Sequence, residues 1–232
     1  MENYFNYFTE IEERYQHRRG TGLLLSTLDW ALIETWKDAG IPLEAVLRGI
    51  DAAFDRYEER KSKSKKMNSL AYCSQEVLSA AEDMKEAAVG AVAHREDPGL
   101  QAGEIASFLR RNAEGLNAVK LAASGGVDPG HALREAANSL REIAAKLEAN
   151  PSSIPLEELE RRLTVLEEKL FAILLAAVPD DQVVTVRGEA ERQMAPYRSK
   201  MPPAQVEQLR KQYVHKRMLE KAGIPRLSLF YM

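Results

Sequence analysis

The stretch 26–77 constrains the fold more than any other part of the chain, because its start, stop and periodicity signals agree with one another. The Ser26 hydroxyl can accept from an orphan backbone N–H, and Asp29 three residues later sets a carboxylate at the positive end of a helix dipole. The pattern predicts a helix beginning near Thr27, with Leu28, Leu32 and Trp36 on its apolar face and Glu34, Lys37 and Asp38 opposite. Gly40 ends it by accepting a left-handed backbone. Pro42 restarts the chain at once, since a first helical turn wants its fixed φ and can spare its N–H. Val46, Ile50, Ala53, Phe54 and Tyr57 make a second stripe, and two such stripes close by folding back as a helical hairpin. A basic, serine-spaced loop follows, carrying Arg60, Lys61, Lys63, Lys65 and Lys66, before Ser69 caps a third helical period through Leu70, Cys73 and Val77.

The rest of the chain is helical in style. Tyr4, Phe5, Phe8, Ile11 and Tyr15 give an N-terminal helix a broad aromatic face, which Arg18, Arg19 and Gly20 terminate. The Pro-Gly turn in 94–99 suggests a boundary, with 1–93 an N-terminal helical module and 94–232 a C-terminal bundle; one continuous domain is the alternative. Two alanine-rich helices separated by a glycine loop come next. From Pro155, Leu156, Leu159, Leu163, Leu166 and Leu170 recur at near-heptad spacing, with Glu157, Glu158, Arg161, Arg162, Glu167 and Lys169 on the other face, which calls for a partner helix in a bundle or across a dimer. Val183 to Val186 is β-branched and reads either as helix or as a short strand. A last helix from Pro203 carries a basic face of Arg210, Lys211, His215, Lys216, Arg217 and Lys221. It stops at Gly223-Ile224-Pro225, echoing Gly40-Ile41-Pro42. The apolar tail with Leu227, Leu229, Phe230 and Tyr231 must dock, and its loose alternation favours an extended segment in a groove, of this chain or of a partner. The expected fold is thus all-α: an N-terminal hairpin module, an antiparallel helical bundle and an extended C-terminal tail.

Composition narrows the function classes. A formal net charge of -3 argues against a protein coated with nucleic acid over its whole surface, but leaves local patches open. The single cysteine excludes an intramolecular disulfide and points to a reducing cytosol, and no apolar run approaches the roughly 20 residues needed to span a bilayer. The expected location is therefore cytoplasmic. His17, His94, His131 and His215 fall in four separate segments with no metal-ligand spacing, and Gly20-Thr21-Gly22 lacks both a preceding strand pattern and a phosphate-loop lysine. Cys73 reads as a small buried hydrophobe. The reading is of no catalytic residue, no metal and no cofactor.

What remains is basic clustering at Arg18 and Arg19, in the loop, and on the last helix. The sequence LDWALIETWKDAGIPLEAVLRGID, then the basic loop, then NSLAYCSQEV, resembles the C-terminal helical module of DnaD-type replication-initiation and primosome proteins over residues 26–80. The resemblance implies a nucleic-acid-associated replication-accessory role. Arg18, Arg19, Arg60, Lys61, Lys63, Lys65 and Lys66 are the candidate DNA-contacting residues. The alternative is a helical scaffold that binds a protein partner or a second copy through its C-terminal bundle and through Leu227, Leu229, Phe230 and Tyr231.

Overall fold

The computed structural model describes residues 7–20, 25–59, 67–87, 101–121, 128–151 and 153–232, and among them every regular element is helical. The helices are α1 (Tyr7–Arg19), α2 (Thr27–Asp38), α3 (Leu43–Glu58), α4 (Ser74–Ala87), α5 (Ala102–Ala118), α6 (Pro129–Ala149), α7 (Leu156–Ala177), α8 (Asp180–Met194) and α9 (Pro203–Ala222). Short 3-10 turns stand at Leu70–Cys73, Arg198–Lys200 and Leu229–Tyr231. The chain divides into two units, Met1–Asp97 with Arg187–Val214, and Pro98–Val186 with His215–Met232. The first unit therefore includes a late stretch of chain as well as its N-terminal part, and both late boundaries fall inside α8 and α9.

In the first unit, Ser26 and Asp29 form a reciprocal capping box. The Ser26 hydroxyl accepts from the Asp29 backbone N–H at 3.2 Å, and Asp29 Oδ2 accepts from the Ser26 N–H at 3.1 Å. At the other end of α2, Gly40 takes φ +68°, Gly40 N donates to Lys37 O and Ile41 N to Trp36 O. This pairing closes the open carbonyls of the last turn. Tyr7, Phe8, Ile11 and Tyr15 turn α1 inward onto α3, and Trp36 is completely buried. The α3–α4 contact is set by Gly49. A Cβ there would lie 2.4 Å from Val77 Cα, so the two backbones touch where only glycine fits.

In the second unit α5 packs along α6 through Ile105, Phe108, Leu109 and Leu116 on one side and Leu133, Ala137, Leu140 and Ala144 on the other, and α7 adds Leu159, Leu163, Leu170 and Leu174. The Val183–Val186 run is helical, within α8. Two acidic residues favour its first turn and Val186 is completely buried, while Val184 is 65% exposed. Burial and the end charges outweigh a propensity deficit of a few tenths of a kcal/mol per residue. The α9 terminus repeats the α2 terminus bond for bond: Gly223 has φ +69°, Gly223 N donates to Glu220 O and Ile224 N to Leu219 O. After Pro42 the chain starts another helix; after Pro225 it runs without regular structure to a 3-10 turn, so the tail is not extended throughout.

Candidate functional site

Two places collect the residues that the sequence singles out. The first lies at the C-terminal end of α1. Arg18 is held by three carboxylates of α3, Asp55 at 2.5 Å, Glu58 at 3.5 Å and Asp51 at 3.6 Å, and its guanidinium lies over the Phe54 ring at 5.6 Å. The hydrogen bond to Asp55 raises the Arg18 pKa further. Arg18 thus ties α1 to α3, its charge locally offset. Arg19 lies over the Tyr15 ring at 5.7 Å, and the Tyr15 hydroxyl donates to Met67 O at 3.0 Å. Arg60, Lys61, Lys63, Lys65 and Lys66 fall outside the described residues, but both flanks of that segment are anchored here, Glu58 on Arg18 and Met67 on Tyr15.

Behind Met67 stands a buried polar cluster. Asp29 is 1% exposed and uses both oxygens: Oδ2 accepts from Ser26, and Oδ1 accepts from the Ser69 hydroxyl at 2.6 Å and the Leu70 N–H at 2.7 Å. One carboxylate therefore caps α2 and the turn leading into α4. Cys73, adjacent to it, is fully buried. Burial first, then Asp29 and Glu76, push its thiol well above the usual range, so it is held as the unreactive thiol. Tyr15 is pushed up in the same way, by burial and then Asp29.

The basic face of α9 is largely paired within its own helix or unit: Arg210 with Glu207 at 2.7 Å and Glu191 at 3.5 Å, Arg217 with Glu220 at 3.3 Å, Lys216 with Glu220 at 3.6 Å. It does not present a row of uncompensated cations.

The second place is the C-terminal segment. Leu227 and Leu229 are buried and Tyr231 is half-buried, while the Phe230 side chain lies outside the described residues. Glu167 of α7 receives the Arg226 Nε at 2.9 Å on one oxygen and the Leu227 N–H at 2.7 Å on the other. Glu160, two turns earlier, receives the Leu229 N–H at 2.9 Å, and Asn112 of α5 donates to Arg226 O at 3.0 Å. The Arg226 guanidinium covers the Tyr231 ring at 4.5 Å, His215 Nδ1 lies 3.9 Å from Glu167, and Pro225 rests against Gly115. Glu167, which helical periodicity assigns to the charged face of α7, is 6% exposed instead, because its partners come from the segment beyond α9. The available sequence signals were Glu167 four residues after Leu163 and Asn112 on the stripe of Leu109 and Leu116.

Among the described residues no group of His, Cys, Asp and Glu is placed to hold a metal ion, and no helix is long and apolar enough to cross a membrane. A family model described as "Uncharacterised protein" matches residues 6–93, the segment that contains α1 to α4. No curated protein and no solved structure matches the chain significantly.

Proposed function

We propose that the chain is a non-enzymatic cytoplasmic binding protein, a nucleic-acid-associated module of the replication-accessory type. Its working parts are an N-terminal hairpin module and an antiparallel C-terminal bundle with a docked tail. The observation that carries this reading is the anchoring of the basic segment 60–66 at both flanks, Glu58 on Arg18 and Met67 on Tyr15, beneath Arg19. Each of its five cations stands no more than four residues along the chain from Glu58 or Met67. Arg18 serves as the strut, its charge already engaged by Asp51, Asp55 and Glu58, and the phosphate contacts fall to Arg19 and the segment itself. The hairpin's resemblance to DnaD-type modules points the same way, and the inert Cys73 thiol supports binding over nucleophilic chemistry.

The test is a titration of single- and double-stranded oligonucleotides across a salt series. The reading expects log affinity to fall linearly with log salt through release of counterions. Absence of binding to either at low salt overturns it. The second reading, a helical scaffold for protein partners, is favoured by the way the C-terminal segment is held.

A further inference from the structure

The segment after α9 is held at three points by side chains that bond its backbone. Between Arg226 and Leu229, the Leu227 and Leu229 N–H groups donate to Glu167 and Glu160, and the Arg226 carbonyl accepts from Asn112. This is how a helical protein reads a peptide laid across it: polar side chains of the receptor hold the main chain, and neighbouring positions select side chains. Selection here has four elements. Gly115 leaves room for Pro225, with the site of a Cβ only 3.3 Å from the proline ring. Glu167 complements Arg226 in charge, and Leu227 and Leu229 are 0% and 1% exposed. The segment is short, contributes no α-helix to the unit, and leaves α9 through Gly223 at φ +69°.

We propose that the face of α5 and α7 bearing Asn112, Gly115, Glu160 and Glu167 is a peptide-recognition site for a Pro-Arg-Leu-x-Leu segment, whose resident occupant is the chain's own C-terminus and whose exchange partner is the same segment of a second copy. Exchange re-forms every contact that it breaks, so the balance is set by concentration against the effective concentration of the tethered segment, of millimolar order. The wild-type chain accordingly keeps its segment in place at micromolar concentration. The inference stands apart from nucleic-acid binding, because it uses none of the residues assigned to that role.

The experiment uses two full-length variants, one with its receptor face disabled (Asn112→Ala, Glu167→Ala) and one with its segment disabled (Arg226→Ala, Leu227→Asp, Leu229→Asp). Neither can satisfy itself, but the segment of the first fits the face of the second. Sedimentation of each alone should give monomer, and the mixture a 1:1 heterodimer. Two folded variants that remain monomers when mixed overturn the proposal. Should circular dichroism show either variant unfolded, the full-length Arg226→Ala protein decides, with a fluorescent peptide of residues 223–232 as probe. The peptide should bind it at least about tenfold more tightly than wild type, because the competing tethered segment is weakened. It should also lose binding when its own arginine is replaced by glutamate. Equal affinity for the two proteins, or no saturable binding, overturns the proposal.

Discussion

Asp29 Oδ1 accepts the backbone N–H of Leu70 at 2.7 Å across 41 residues of chain, while its other oxygen completes the capping box with Ser26. Two helix starts in the first unit therefore depend on one buried carboxylate. Asp29→Asn tests this relationship. The amide has one acceptor oxygen where four donor contacts need two, so an NH2 group must face either Ser26 or the Ser69–Leu70 pair. The expected loss is about 2–4 kcal/mol, read by denaturant unfolding followed through tryptophan fluorescence. Both tryptophans, Trp30 and Trp36, lie in α2, so this signal reports the first unit alone. A loss under about 0.5 kcal/mol would mean that the caps are dispensable.

Gly49→Ala sets two effects against each other. Alanine in a helix interior is intrinsically better than glycine by about 1 kcal/mol. Against that, the new Cβ would lie 2.4 Å from Val77 Cα and 2.5 Å from Val77 N, backbone atoms that cannot swing aside. Overpacking costs about 1–3 kcal/mol where side chains can adjust, and more is expected here because a whole helix must move. We expect net destabilisation of at least about 2 kcal/mol. A neutral or stabilising result would show that α3 and α4 do not meet at this point.

The buried thiol and phenol give the fold an alkaline limit. Cys73 has an ordinary pKa of 9.0 and Tyr15 of 10.0, and burial raises both in the folded chain. Above pH 9.0 the unfolded chain releases the Cys73 proton while the folded chain keeps it, so the unfolded state binds fewer protons and stability falls as pH rises. Each group contributes a slope of up to about 1.4 kcal/mol per pH unit, Cys73 first and Tyr15 above it, and neither contributes below. Cys73→Ala should flatten the melting-temperature profile between about pH 9 and 10 relative to wild type. Iodoacetamide should label Cys73 only under unfolding conditions; fast labelling of the native protein would contradict its burial.

How far the sequence carries depends on the distance between cause and effect. Ser26, Asp29, Gly40 and Pro42 act within their own helix ends, so the start of α2 at Thr27 and its stop at Gly40 are readable from neighbours alone. The second duty of Asp29, toward Ser69 and Leu70, is set by tertiary folding and leaves no local trace. Glu167 is the same case in reverse: its register beside Leu166 suggests solvent, but Arg226 and Leu227, about 60 residues on, draw it inside. The β-branched run at Val183–Val186 is ambiguous by propensity, and the burial of Val186 decides it. Of the candidate nucleic-acid residues, the composition of the loop could be read but the neutralisation of Arg18 could not, since Asp51, Asp55 and Glu58 become its neighbours only when α1 packs on α3.

Arg18→Ala separates the strut from the binding surface. Its side chain is 21% exposed and two of its three carboxylate partners are 60% exposed, so the pairs are weak and the expected cost is about 0.5–1 kcal/mol. Oligonucleotide affinity at a fixed salt concentration should change less than about threefold. A tenfold loss in a folded variant would make Arg18 a direct contact instead.

The most direct test of the nucleic-acid reading is the salt slope of duplex binding for wild type beside Lys61→Ala, Lys63→Ala, Lys65→Ala and Lys66→Ala combined. The substituted segment has no apolar residue to contribute to a core, so helicity and melting temperature should be unchanged. For wild type a slope of about −5.4 in log affinity against log salt is expected if Arg19 and the segment's five cations meet phosphates, and about −1.8 once four are removed. Identical affinities and identical slopes for the two proteins would contradict the account, because the fold would then be presenting these cations to solvent alone.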